Sequence, residues 1–327
     1  QSILTSLGNL YSHMGMESTK QGKKKSAEEY FEKAEDCFRN AKHGEFPNAH
    51  AYHAHAFMWY LRGNKSEADL EKLYHYAKTL AILSIAKDNL NEDDLQPIYE
   101  LETEVWGEIG DEIKINENLE ILRDQFNTAS GYYLYAQLLL HKAHKQDKDN
   151  RSKILELALR KVEKGLKFFP YDESCLLLRA KLIKELTPSN LSKYYESLQN
   201  WYAAATSQSS LLLYELGRTS FILGYYDYSN KFFKELETGI GIGHGLRSRP
   251  QYPICDENGN KKEFKGTIIN IFSSYEGEIR CDTLRSLKYS IAFRPIACRF
   301  TPSRGDIVKF YIEFSFRGPI ATNVRKI

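Results

Sequence analysis

The histidines at 50, 53 and 55 come nearest to a metal-ligand spacing in this chain. On a helix, His50 and His53 share a face while His55 turns away. Glu45 is the one acid beside them, so histidines that pack between helices are the expectation. His141 and His144 also share a face, but next to Lys142 and Lys145 they read as a solvated helix end. Asp93 and Asp94 sit at an expected helix start, where carboxylates complement the dipole. The glycine-rich run Gly239 to Gly245 could cradle a phosphate only between a strand and a helix. It follows a helix instead, so it reads as a terminator and hinge. No nucleophile elbow, Walker loop or His-Glu-x-x-His occurs. Cys37, Cys175, Cys255, Cys281 and Cys298 are scattered without CxxC spacing. They suit neither a disulfide framework nor a structural zinc, and they fit a reducing, cytoplasmic setting. The expectation is a chain that recognises rather than reacts: no enzyme activity and no cofactor.

Charge points to where recognition could occur. Net charge is +2, yet residues 240–327 hold about 15 basic and 8 acidic side chains. The preceding residues are mildly anionic. A cationic final quarter suits a polyanion, or an acidic protein surface.

Two regions must position these groups. Residues 2–238 carry apolar residues at three-and-four spacing, rich in Ala, Leu, Glu and Lys. The spacing predicts helices near 2–15, 25–42, 49–62, 66–88, 93–109, 113–124, 129–145, 151–168, 173–186, 190–206, 209–222 and 226–237. Short connections predict antiparallel neighbours that must stack to bury their apolar faces. Beyond residue 239, alternation takes over. Asp256 to Asn260 reads as a hairpin turn. Strands are expected at 265–272, 276–282, 288–294, 306–314 and 320–326, enough for a small five-stranded barrel. The fold class is therefore α+β and multidomain: an all-α array at 1–238, a glycine-rich hinge and hairpin at 239–262, and a β-barrel at 263–327. The chain starts at Gln1 and reads as helix at once, so a piece of a longer protein is expected.

The helical region resembles the tetratricopeptide repeat family. Leu7-Gly8 followed by Tyr11 matches the first half of the repeat, and Ala27, Phe31 and Ala34 match the second, with an insertion of roughly Gly15 to Gly22 between them. Ala158, Val162, Gly165 and Pro170 match another second half, followed by Ala180. Leu216-Gly217, Gly224-Tyr225 and Phe233 mark a last repeat. Residues 90–150 depart from the pattern. The resemblance implies an extended surface that binds a protein partner or a neighbouring domain. Tyr194, Tyr195, Trp201, Tyr202, Tyr225, Tyr226 and Tyr228 suit such a surface, with about half of them expected in the core.

The last segment is similar to the C-terminal half of cold-shock domains, which are OB-type barrels. Gly305, Val308 and Phe310 match one strand of that pattern, and Arg317, Gly318, Pro319, Ala321, Asn323 and Val324 the next. Lys265 to Ile268 resembles the opening strand. The resemblance implies contact with single-stranded RNA or DNA. One departure counts against it: Glu276 and Glu278 stand where the family places base-stacking aromatics. The remaining candidates are Phe272, Tyr275 and Phe293 for stacking, and Lys265, Arg280, Arg294, Arg299 and Lys309 for phosphate. A repeat-plus-barrel arrangement also resembles the C-terminal sensor part of large NTPase-type antiviral-defence or signalling proteins. The alternative is a dedicated RNA-binding protein of translation or RNA turnover, favoured by a basic groove running from the repeats through Arg247 and Arg249.

Overall fold

The computed structural model describes residues 2–42, 48–207, 209–239, 253–256 and 259–327. They form twelve α-helices and five strands, with the expected elements in the expected order. The helices are α1 (Ser2–Lys20), α2 (Lys24–Lys42), α3 (Ala49–Lys65), α4 (Asp69–Asn89), α5 (Gln96–Ile109) and α6 (Glu112–Asp124). They continue with α7 (Ser130–Ala143), α8 (Lys148–Phe168), α9 (Glu173–Leu186), α10 (Leu191–Ala204), α11 (Ser210–Ile222) and α12 (Tyr226–Gly239). The strands are β1 (Glu263–Ile271), β2 (Gly277–Cys281), β3 (Ile291–Phe293), β4 (Ile307–Ser315) and β5 (Gly318–Lys326). Polar side chains fix several helix starts. Asp111 accepts from the backbone N–H groups of Ile113 and Lys114, and Asp147 from that of Asn150. No described helix is long and apolar enough to cross a membrane.

Contacts divide the chain into two compact units, Gln1–Leu182 and Ile183–Ile327. The periodicity of the sequence changes near residue 239. The last three helices nevertheless fall in the same unit as the barrel, because apolar side chains of α11 and α12 pack on it.

In the first unit, α1 pairs with α2, α3 with α4, α5 with α6 and α7 with α8, and each pair packs on the next. This is tetratricopeptide-like stacking. Small residues permit the close crossings. A methyl group on Gly8 would lie 2.6 Å from the ring of Phe38, and one on Gly15 would lie 2.6 Å from the ring of Phe31. The pairing of 8 with 38 and 15 with 31 is itself antiparallel. It also corrects the expected insertion at Gly15 to Gly22. α1 runs on to Lys20, since Gly15 is the seat of a buried ring, and the turn is only Gln21–Lys23. The stretch 90–150 lacks the family's sequence pattern but keeps its stacking, with Gly107 against Leu138 and Gly131 against Leu122.

In the second unit the strands close into a barrel in the order β1-β2-β3-β5-β4, with β4 returning to β1. All neighbours are antiparallel except β3 and β5. Val308, Phe310, Ile312 and Phe314 alternate inward along β4, joined by Phe264, Ile268, Ile279 and Ile291. Asn323, at φ +50°, sits where the β4–β5 register slips; Asn tolerates this backbone better than most residues. The expected turn is present on its described residues. Asp256 accepts from the Asn260 backbone N–H at 2.9 Å, and the Ile254 N–H donates to the Ile312 carbonyl at 3.0 Å. Tyr252, Glu257, Asn258 and the run from Ile240 to Gly245 lie outside the described residues, as do Arg247 and Arg249.

The barrel sits on α11 and α12 through aromatic rings. Phe314 stacks on Phe233 at 6.3 Å and meets Phe221 edge-on at 5.4 Å. Tyr214 contacts Phe316 at 5.3 Å. The Tyr289 hydroxyl is pushed up to about 12 by burial, with Ser229 of α12 beside it.

Helix propensity alone says that Gly8→Ala stabilises by about 1 kcal/mol. The ring of Phe38 is fully buried and has little room to move. Gly8→Ala is therefore expected to destabilise by about 1–3 kcal/mol, read as a lower urea midpoint. Gly22→Ala, in an open turn at φ +73°, is the comparison: it loses stability through backbone strain without touching Phe38.

Candidate functional site

The sequence candidates on the barrel separate into two groups. Lys265 faces Lys309 directly across β1 and β4, and Lys309 faces Arg325 across β5. Glu263 holds this cationic row together, at 3.1 Å from Lys309 and 2.8 Å from Arg325. Lys265 is exposed. Arg280 pairs with Asp282 at 3.4 Å, and Asp282 also accepts from Thr267. Phe272 and Tyr275 lie at the other end of β1, about 20 Å from Lys265 at the rise of a strand. These two candidates are exposed, at 62% and 69%.

The turn that carries Phe272 and Tyr275 is tied down. The Phe272 N–H donates to the Glu276 carbonyl at 2.9 Å, and the Tyr275 N–H to the Ser273 hydroxyl at 3.1 Å. The Ile296 N–H donates to the Ser274 carbonyl at 2.8 Å, which brings the β3–β4 connection against this turn. Arg294 lies one step beyond the Gly277–Phe293 pair, next to Glu276 along the ladder. Arg299 follows in the same connection. Both arginines are exposed and have no ion pair among the described residues.

Phe293 is a correction. It is 1% exposed, and its ring lies over Gly277, so it is a core residue with no free face for a base. Alternation explains this, since Ile291 and Phe293 point inward and Ala292 outward. Glu278 is on the outer face as expected, beside Ala292 and Asn270, and accepts from the Asn270 amide at 2.8 Å. The middle of the sheet therefore offers a carboxylate, an amide and a methyl group, with no stacking surface.

Two residues at the turn escape the sequence reading. Ile271 and Ile296 are 39% and 59% exposed and extend the apolar patch of Phe272 and Tyr275. Ile271 is exposed as the last residue of β1, opposite Gly277 at the end of the barrel, while the β1–β2 slip between Ile268 and Asn270 adds one residue to β1 and turns Asn270 outward beside Glu278. Strict alternation carries no signal of that bulge.

The helical aromatics divide much as expected. Tyr194, Tyr195 and Trp201 are buried, Tyr202 and Tyr226 are half-buried, and Tyr225 and Tyr228 are exposed. Tyr194 donates to Glu215, a carboxylate that also meets Lys184 at 3.0 Å and Arg218 at 3.5 Å.

The three histidines part company on α3. His50 is exposed, His53 half-buried and His55 buried. The His55 Nδ1 is 2.6 Å from the Lys42 amine, and its Nε2 is 3.8 Å from Glu35. Burial holds the His55 imidazole towards its neutral form. Burial also pulls the Lys42 amine down to about 8, though Glu35 opposes it. This cluster joins α2 to α3.

The fold defined by these elements is a tetratricopeptide-like helical array with a closed five-stranded barrel. No family model matches the chain, and no curated protein matches it. Solved structures with some likeness include a thermophilic TPR protein of Thermus thermophilus (16% identity, 59% of this chain and 95% of that one, TM-score 0.36). Another is PilF of Pseudomonas aeruginosa (15%, 74% and 95%, TM-score 0.35). A third is human IFIT1 with PPP-AAAA (13%, 69% and 59%, TM-score 0.34).

Lys42 gives a pH prediction. An unfolded lysine titrates near about 10.4. Between about 8 and that value the unfolded chain holds a proton that the folded chain has released. Stability contributed by this residue therefore rises with pH across the window. The expected gain is about 1–2 kcal/mol after discounting for partial exposure. Urea midpoints measured from pH 7.5 to 10 should climb more in the wild type than in Lys42→Met.

Proposed function

We propose that this chain is a non-catalytic recognition module whose barrel, of OB and cold-shock type, takes single-stranded nucleic acid at one end. The helical array serves as a scaffold for a protein partner. The observation that carries the barrel reading is the β1–β2 turn. Two bare aromatics, Phe272 and Tyr275, stand on a hydrogen-bonded turn that packs against the connection bearing Arg294 and Arg299. Exposed aromatic faces stack on bases without sequence preference, and arginines beside them meet phosphate. The strand order, with β3 parallel to β5, supports the OB assignment. The contact then lies at the end of the barrel and not at the sheet centre, where the Asn270 amide donates to Glu278.

Binding of labelled single-stranded RNA and DNA, measured by anisotropy across a salt series, tests this. Micromolar binding is expected, weakening linearly in log salt. Phe272→Ala with Tyr275→Ala should cost about 1–3 kcal/mol per stacked base with the slope unchanged. Arg294→Glu with Arg299→Glu should lower the salt slope by about 1 for each phosphate that is no longer neutralised. Arg280→Glu should matter less, since Arg280 already pairs with Asp282. Absence of binding at low salt sinks the barrel reading.

A further inference from the structure

The seam between α2 and α3 holds an amine where close-packed helices ordinarily hold carbon. α2 ends on Lys42, whose side chain reaches across to α3. The Lys42 Nζ is 4.7 Å from the centre of the Tyr52 ring and 2.6 Å from the His55 Nδ1. Lys42 is half-buried, so it keeps a path to solvent, whereas His55 is only 5% exposed. Lys42 has no ion pair of its own among the described residues. The contact therefore does more than a salt bridge between two helices would require.

Three groups stand in line here. A lysine nitrogen donates, so the His55 Nδ1 accepts and the ring proton sits on Nε2. Nε2 lies 3.8 Å from Glu35, longer than a hydrogen bond but close enough for the carboxylate to favour a second proton on the ring. The Glu35 carboxyl is held below its usual range by His55, against the effect of burial. Carboxylate, imidazole and amine thus follow the order of an activated nucleophile: a group that attacks, a base in contact with it, and a third group that orients the base. Burial favours the neutral imidazole and the neutral amine, the forms that a base and a nucleophile need. Among the described residues, the other charged groups here are Arg39 of α2 and Lys78 of α4, which both act on Glu35. Arg39 is exposed one turn before Lys42. Its contacts with Glu35 and Asp36, at 3.6 and 3.7 Å, are too long for hydrogen bonds and leave the guanidinium able to meet an anion.

We propose that Lys42 is an acyl-acceptor site, where His55 takes the proton as the amine attacks the carbonyl carbon of a small acyl phosphate. The Lys42 nitrogen bonds to that carbon. The bond from the carbon to the phosphate oxygen breaks, and phosphate leaves with the electron pair beside Arg39. The N–H proton passes to the His55 Nδ1, the imidazolium forms next to Glu35, and the proton then goes to solvent. The product is a neutral amide that keeps one N–H for His55 and removes the cation from the Tyr52 ring. Lys42 and His55 are the reacting pair, and Glu35 is a positioning residue. The site is separate from the barrel and does not depend on nucleic-acid binding.

Acetyl phosphate added to the whole chain at about pH 8, with the acetylated positions read by peptide mass spectrometry, tests the site. Lys25 and Lys193, both exposed, serve as references within the same molecule. Lys42 should acetylate about tenfold faster than either, since at this pH a far larger share of it is neutral and a base stands beside it. Its rate should level off above about pH 8, while the references keep rising towards about pH 10. His55→Gln keeps a polar side chain in the seam and removes the base. The Lys42 rate should then fall about tenfold, with the reference rates and the circular dichroism spectrum unchanged. Glu35→Gln should lower both the plateau and the pH at which it is reached, because the carboxylate supports the imidazolium and helps to hold the amine's proton. Lys42 reacting no faster than Lys25 overturns the site, and this comparison needs no variant that could unfold. A Lys42 rate unchanged in His55→Gln overturns it as well, since the amine would then owe nothing to the imidazole.

Discussion

A large ring seated on a residue without a side chain is the contact on which both halves of this protein depend. It recurs as Phe38 on Gly8, Phe31 on Gly15, Tyr76 on Gly63 and Tyr132 on Gly165. Each seat brings two helix axes closer than a pair of ordinary side chains would permit, and the ring then fills the crossing. Close packing makes the arrangement specific, because a methyl group more at the seat has nowhere to go. The same device appears once more in the second unit. Phe233 rests on Gly217, and the ring also stacks on Phe314 of the barrel. A helix-pair contact thus becomes the platform for the sheet, which is why the last helices belong with the barrel despite their repeat-like sequence.

The carboxylates of the barrel are mostly committed to cations. Glu263 is shared by Lys309 and Arg325, Asp306 is taken by Lys326 at 2.6 Å, and Glu313 by Lys261 at 2.9 Å. The cations outside these pairs are the ones available to a ligand. Exposed pairs of this kind contribute little to stability, but they neutralise one another locally. The cations left over, Arg294 and Arg299 among them, decide where a polyanion would settle. Arg294 and Arg299 fall near the only turn of the described barrel that also bears two exposed aromatics.

The elements are legible in the sequence because their periods are. The three-and-four spacing between short breakers predicts the helices, and Val308, Phe310 and Ile312 predict the inner face of β4. What stays hidden arises where packing overrides a local rule. Gly15 reads as a break, yet it sits inside α1 because Phe31 needs the space. Phe293 reads as a stacking candidate because the register of a three-residue strand is hard to fix from alternation alone. Asn270 turns outward to Glu278 through one extra residue in β1. The exposed Leu70, Leu73, Tyr74 and Ile85 of α4 are hidden for a different reason: a helix with apolar residues on two sides shows no single face in its pattern, and only burial separates the inner side from the outer.

On the proposed reading, two aromatics and two arginines at the barrel end would meet only a few nucleotides, so the contact would be weak by itself. Stacking would hold the bases without choosing among them, and the arginines would hold phosphate only as far as salt permits. Affinity would then depend on ionic strength more than on sequence, because Glu278 and Asn270 leave the sheet centre without a stacking face.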